Sequence, residues 1–88
     1  MQQVDIYVKE GCPFCVRAER LLQKRNVSYN RIDVTFDGGL FTEMQKRSNG
    51  GKTVPQIFVG ATHVGGSDDL SMMPRAEFMA LLEGRQAA

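Results

Sequence analysis

Cysteine is scarce in this chain. Two residues in 88, Cys12 and Cys15, are too few for a scaffold built on disulfides. Charge of one sign is not in excess either. Eleven Lys and Arg stand against ten Asp and Glu, mixed along the chain, for a net +1. That excludes nucleic-acid binding through a broad basic face. No apolar run approaches the roughly 20 residues of a membrane-spanning helix, so no membrane partner is expected. The opening stretch MQQVDIYV lacks the basic and apolar regions of a secretory signal, so a cytoplasmic location is expected. Internal repeats and low-complexity segments are missing too. What remains is ordinary for a soluble protein: 42% hydrophobic and 24% charged residues, enough for one core and a single domain over 1–88.

The periodicity divides the chain into short elements. Val4, Ile6 and Val8 alternate with Asp5 and Tyr7, a strand pattern. After EGCPFC, Cys15, Ala18 and Leu22 form one apolar helical row and Phe14, Ala18 and Leu21 a neighbouring one. Arg17, Arg20 and Lys24 then face water, and Asn26 stops the helix. VSYNRIDV reads as a second strand with Ile32 and Val34 on one face. FDGG breaks the chain, LFTEMQKRS forms a short helix with Leu40, Phe41 and Met44 apolar, and NGGK ends it. TVPQIFVG is a third strand led by a proline, and THVGG a fourth, reached through a tight turn at Gly60–Ala61. SDDLSMM and PRAEFMALLEG supply C-terminal helical turns, with Ser67 as an N-cap and Pro74 in a first turn, and the last residues fray. The order β-α-β-α-β-β-α favours an α/β fold: a parallel β-α-β crossover, a terminal hairpin, and one four-stranded mixed sheet with helices on both faces.

The chemistry concentrates in CPFC. Cys12 falls where the first strand gives way to the helix, and Pro13 suits the first helical position because its missing N–H is no loss there. The Cys12 sulfur then faces unpaired backbone N–H groups and the positive end of the helix dipole, both of which favour a thiolate. Lys9 lies just upstream and adds positive charge. Cys15 is about one turn further on, against the core. That asymmetry suits an attacking Cys12 and a resolving Cys15. The competing readings are weaker. A permanent disulfide here closes a tiny loop and constrains little. A zinc site needs four ligands, and the chain offers two cysteines and the distant His63, so no metal is expected. A cluster shared between two chains stays open, because the remaining thiolates could come from another molecule.

CPFC, TVPQIFVG and VGGSDDL, in this order and spacing, resemble a dithiol glutaredoxin from about Val4 to Leu82. The resemblance implies a thioredoxin fold with three or so helices. It also implies glutathione as co-substrate without a permanently bound cofactor, and disulfide-containing or glutathionylated proteins as substrates of a monomer. By the same resemblance Cys12 is the nucleophile and Cys15 the resolving cysteine, and Lys9 helps bind glutathione. Phe14 stands where tyrosine is commonest, so its ring can pack on glutathione without a phenol hydrogen bond. Thr53, Val54 and Pro55 match the segment whose proline is cis. Lys46 or Arg47 falls near a position that contacts the glycine carboxylate of glutathione. Gly66, Ser67 and Asp68 match the segment that binds the γ-glutamyl end.

The residues themselves support parts of this assignment. Pro55 removes a ladder donor and restricts Val54 to extended geometry, so the Val54 backbone could pair with an extended peptide; an ordinary proline beginning a strand is the plainer alternative. Gly65–Gly66 before Ser67–Asp68 turns the chain into a helix N-terminus suited to a carboxylate, and Asp68 suits an ammonium; a plain capped helix is the alternative. His63 reads as a surface histidine, and Met72 and Met73 as packing residues. Two rival functions accompany the main one: a glutaredoxin-like hydrogen donor reduced by thioredoxin reductase, and a carrier of an iron–sulfur cluster ligated by Cys12 and glutathione.

Overall fold

The architecture is that of a computed structural model, which describes residues 1–84. The fraying expected of GRQAA, residues 84–88, lies outside them except for Gly84. The elements run β1 (Val4–Val8), α1 (Pro13–Lys24), β2 (Asn30–Asp33), α2 (Gly38–Arg47), β3 (Gln56–Val59), β4 (Thr62–Gly65), α3 (Ser67–Met72) and α4 (Arg75–Leu82). They build one four-stranded sheet in the order β2-β1-β3-β4. β2 is parallel to β1, whereas β3 is antiparallel to both β1 and β4.

β1 is central, and this changes its reading. All five of its residues are buried, Asp5 and Tyr7 included, because helices cover both faces of the sheet. On one face Val4, Ile6 and Val8 meet Cys15, Ala18 and Leu22 of α1, with Leu70, Phe78 and Leu82 from α3 and α4. On the other, Tyr7 and Phe58 meet Met44 of α2, flanked by Leu40, Phe41 and Ile32. The row expected to face the core in α1 is its buried row. Phe14 is not part of it; its side chain is 57% exposed.

Several boundaries moved for local reasons. Asn26 takes a left-handed φ of 58°, and the Val27 N–H turns back to Leu22 O at 3.0 Å. Val27–Tyr29 therefore finish the helix exit and β2 starts only at Asn30. FDGG does not break α2 but begins it: Asp37 Oδ1 accepts the Leu40 N–H at 3.0 Å, and Gly38 and Gly39 form the first turn. The C-terminal helical stretch is two helices, interrupted at Pro74, which precedes α4 as its N-cap instead of sitting inside its first turn. Met72 is 80% exposed, so only Met73 packs on the core. No helix among the described residues is long and apolar enough to cross a membrane.

The α2 face is fastened by one arginine. Arg47 Nη1 donates to Asp5 Oδ2 and to the Tyr7 hydroxyl, both at 3.0 Å, and Nη2 donates to Gly60 O at 3.3 Å. Its guanidinium also lies 4.2 Å from the centre of the Phe58 ring. Burial pushes the Asp5 carboxyl up, but donors from Gln3, Asn30 and Arg47 together hold it below its ordinary 3.8. A depressed carboxyl stabilises the fold above its unfolded pKa, and that contribution disappears as pH falls through the folded value. Replacing Arg47 by Met is therefore expected to cost about 2 kcal/mol at pH 7 in urea unfolding. The gap between wild type and variant should narrow as pH falls below 3.8 and through the lowered folded-state value of Asp5, because the carboxylate that Arg47 holds is then lost.

Candidate active site

The site is set by the end of β1. Beyond Val8 the chain crosses Lys9 and Glu10 to Gly11, whose φ of +70° lies in the left-handed region that glycine tolerates. The Glu10 N–H donates to Thr35 Oγ1 at 2.9 Å, tying this loop to the segment after β2. Cys12 follows in extended geometry as the N-cap of α1, and Pro13 opens the helix. The Cys12 Sγ accepts the Cys15 N–H at 3.1 Å, filling the role that a serine or aspartate oxygen fills at other helix starts. A thiolate accepts such a bond more strongly than a thiol does. No acidic residue occupies the first turn to oppose it. On its other side the Cys12 thiol lies 3.8 Å from Val54 O.

The two sulfurs are unequal. Both cysteines are reduced, Cys12 half-buried and Cys15 buried at 2% exposure. Burial, then the hydrogen bond with Cys12 and the negative charges of Cys12 and Glu19, push the Cys15 thiol up to about 12. Cys15 is thus a protonated thiol at neutral pH, held beside a more accessible sulfur.

Two cavities flank this pair. One of about 310 Å³ is lined by Phe14, Thr53, Val54 and Pro55 together with Gly66, Ser67, Asp68 and Asp69. The fold therefore brings the two separate segments singled out in the sequence, and Phe14, to one hollow, with the Val54–Pro55 peptide bond cis. The other, of about 320 Å³, runs along Lys9–Pro13 and Cys15 toward Glu19 and Arg31. Lys9 borders the second cavity while its ammonium sits 4.8 Å over the Phe41 ring. Lys46 is exposed on the last turn of α2 and lines neither cavity, and its neighbour Arg47 is engaged by Asp5 and Tyr7. A larger hollow of about 360 Å³ at the far end of β1, under Met1–Val4 and Val27–Asn30, holds none of the candidate site residues.

Ser67 is not the N-cap of α3. Gly66 holds that position, and its N–H donates to Asp69 Oδ2 at 2.8 Å, so the carboxylate of the third helical residue closes the turn. Gly65 must be glycine: its φ is +118°, and a Cβ there would collide with the Asp69 carboxylate. The Ser67 hydroxyl is left buried without a partner beside the hollow. Asp69 was missed in the sequence because the N-cap is Gly66, which has no side chain, so the Ser/Thr that usually signals such a box is absent. Among the described residues no group of three or more His, Cys, Asp or Glu side chains is placed to hold a metal.

The sequence model of the glutaredoxin family matches residues 4–64. The chain belongs to the glutaredoxin family. It is 49% identical to glutaredoxin 3 of Escherichia coli K12 over 70 residues, which cover 80% of this chain and 83% of that one. It is 43% identical to a glutaredoxin of Pseudomonas aeruginosa over 76 residues, 86% of this chain and 89% of the relative. The solution structure of a glutaredoxin from Brucella melitensis superposes with a TM-score of 0.80 at 40% identity, over 99% of this chain and 96% of that one. Glutaredoxin membership makes this protein a thiol–disulfide oxidoreductase with a thioredoxin-like fold.

The cap at Gly66 gives a direct check of the hollow's second wall. Asp69→Ala removes the acceptor for the Gly66 N–H and is expected to lower unfolding stability by about 1 kcal/mol. The same substitution removes the carboxylate part of the collision at position 65 and leaves only the close approach to the residue 69 Cβ and the left-handed φ, so Gly65→Ala should cost less in the Asp69→Ala background than in the wild type.

Proposed function

We propose that this glutaredoxin uses glutathione to reduce protein disulfides and glutathione mixed disulfides, with Cys12 as nucleophile and Cys15 as the resolving thiol. One observation carries the reading. The Cys12 Sγ lies between the helix N-terminus and the carbonyl of Val54, and Val54 lines the hollow shared by Thr53–Pro55 and Gly66–Asp68. A small peptide with charged ends suits that hollow. Its extended backbone pairs with Val54, its ammonium meets Asp68, the Ser67 hydroxyl faces its γ-glutamyl end, and Phe14 covers its apolar part. Lys9, which borders the cavity beside Cys12, supplies positive charge for the ligand, whereas Lys46, outside both cavities, makes no direct contact with it. The protein acts as a single-domain monomer in the cytoplasm, with glutathione as co-substrate and no permanently bound cofactor.

In the monothiol cycle, Cys12 thiolate attacks the glutathione sulfur of a glutathionylated protein. The Cys12–glutathione bond forms and the protein thiolate leaves. A second glutathione thiolate attacks that bond, giving oxidised glutathione and returning Cys12 thiolate. In the dithiol cycle, Cys12 attacks a protein disulfide, forms a mixed disulfide and releases one target thiolate. Cys15 then loses its proton and attacks the Cys12 sulfur, releasing the second target thiolate and closing the Cys12–Cys15 disulfide. Two glutathiones reopen it.

The environment of Cys15 fits the timing of this second step. Among the causes that raise its thiol are its hydrogen bond to Cys12 and the negative charge on Cys12. Once Cys12 is bound in a mixed disulfide that charge is gone, so Cys15 ionises more readily when its attack is needed and stays protonated before it. Cys12→Ser is expected to abolish both activities. Cys15→Ser should keep reduction of a glutathionylated peptide while losing dithiol reduction of a protein disulfide. A glutathione-coupled assay with both substrates separates the two, and loss of both activities in Cys15→Ser would overturn the division of labour.

A further inference from the structure

Gln56 directly follows the cis-proline and begins β3, and its side chain is buried although it is polar, at 6% exposure. Both ends of its amide are engaged. Nε2 donates to Thr53 O at 3.0 Å, and Oε1 lies 2.6 Å from His63 Nε2 on β4. The reverse orientation of the amide would set its oxygen against the Thr53 carbonyl oxygen, two acceptors face to face. Oε1 is therefore the acceptor toward His63, and the His63 Nε2 carries the proton. The imidazole is itself held flat: it stacks on Phe58 at 4.7 Å with 21° between the planes. The loop before Thr53 has no slack over this amide, since a Cβ on Gly51 would come within 2.8 Å of Gln56 Nε2 and 2.5 Å of Ser48 Oγ. Ser48 Oγ in turn accepts the Gly51 N–H at 3.0 Å.

A chain of contacts thus runs from the outer strand to the site: Phe58 holds His63, His63 holds Gln56, Gln56 holds the Thr53 carbonyl, and Val54 next to it touches the Cys12 sulfur. We infer that Gln56 and His63 form a clamp that fixes the Thr53–Val54 backbone in the extended shape a glutathione backbone pairs with. Gln56 acts through Thr53, and His63 acts through Gln56. Both are positioning residues, and the inference rests on the glutathione reading above. Fixing that edge in advance spares the ligand the cost of ordering it, so the clamp serves binding and leaves the exchange at Cys12 unchanged.

Steady-state kinetics on a glutathionylated peptide test this with Gln56→Met, His63→Phe, His63→Gln and the double variant Gln56→Met/His63→Phe. Gln56→Met is expected to raise KM about tenfold with kcat within about twofold of wild type. His63→Phe keeps a ring on Phe58 but has no donor, and should raise KM about threefold. His63→Gln returns a donor and should recover most of that rise. The double variant should match Gln56→Met alone, because the two residues act in series. Unchanged KM in the single variants, a fall in kcat at constant KM, or additive effects in the double variant would overturn the clamp. His63 is exposed, so the His63 variants decide the matter should Gln56→Met fail to fold. A wild type that shows no saturation by the glutathionylated peptide overturns the glutathione reading and the clamp with it. A saturating wild type matched by all four variants overturns the clamp alone.

Discussion

The hydrogen bond from the Cys15 N–H to the Cys12 Sγ, 3.1 Å long, is the contact around which the site is built. It exists because a helix begins at Pro13 with a sulfur where an oxygen usually caps. The helix begins there because β1 ends at Val8 and Gly11 turns left-handed, swinging the next residue into the N-cap position. The helix is held in place by the row Cys15, Ala18 and Leu22, buried against the central strand. The same residue therefore donates the N–H that caps and anchors its own side chain in the core. One short segment supplies an accessible sulfur and a buried one from a single turn.

Burial on both faces of β1 gives this arrangement its rigidity. The face covered by α1, α3 and α4 is apolar, and it seats Cys15. The face covered by α2 is part polar, with Arg47 satisfying Asp5 and Tyr7 and lying over Phe58. Phe58 is shared: Arg47 and Tyr7 meet its ring, and so does His63, which leads through Gln56 to Thr53. The ion pair that fastens α2 and the hydrogen bonds that reach the ligand hollow thus meet on one aromatic ring.

Much of this was legible in the sequence, and the remainder fails for identifiable reasons. The strand and helix patterns placed Cys12 at the junction and Cys15 in the core, since local periodicity determines both. TVP and GGSDD, singled out by resemblance, line one hollow. Phe14 was misread as part of an apolar row because periodicity cannot tell the edge of a helix from its core-facing stripe. Ser67 was misread as a cap because the competing carboxylate, Asp69, depends on the backbone direction at Gly65. Gln56 and Arg47 were the least legible. Their roles come from partners 3 to 42 residues away in the chain, Thr53, His63, Gly60, Tyr7 and Asp5, which only the tertiary fold brings near.

Competitive alkylation reads the inequality of the two sulfurs. Burial, its hydrogen bond with Cys12 and the Cys12 charge push the Cys15 thiol up to about 12, so at pH 7 this sulfur stays a buried thiol and should be almost inert. Reduced protein is treated with iodoacetamide at pH 7, and the two cysteines are followed separately by peptide mass spectrometry. Cys12 should be modified at least about a hundredfold faster than Cys15, and Cys15 should react readily only after denaturation. Equal rates, or modification of Cys15 first in the folded protein, would contradict the account.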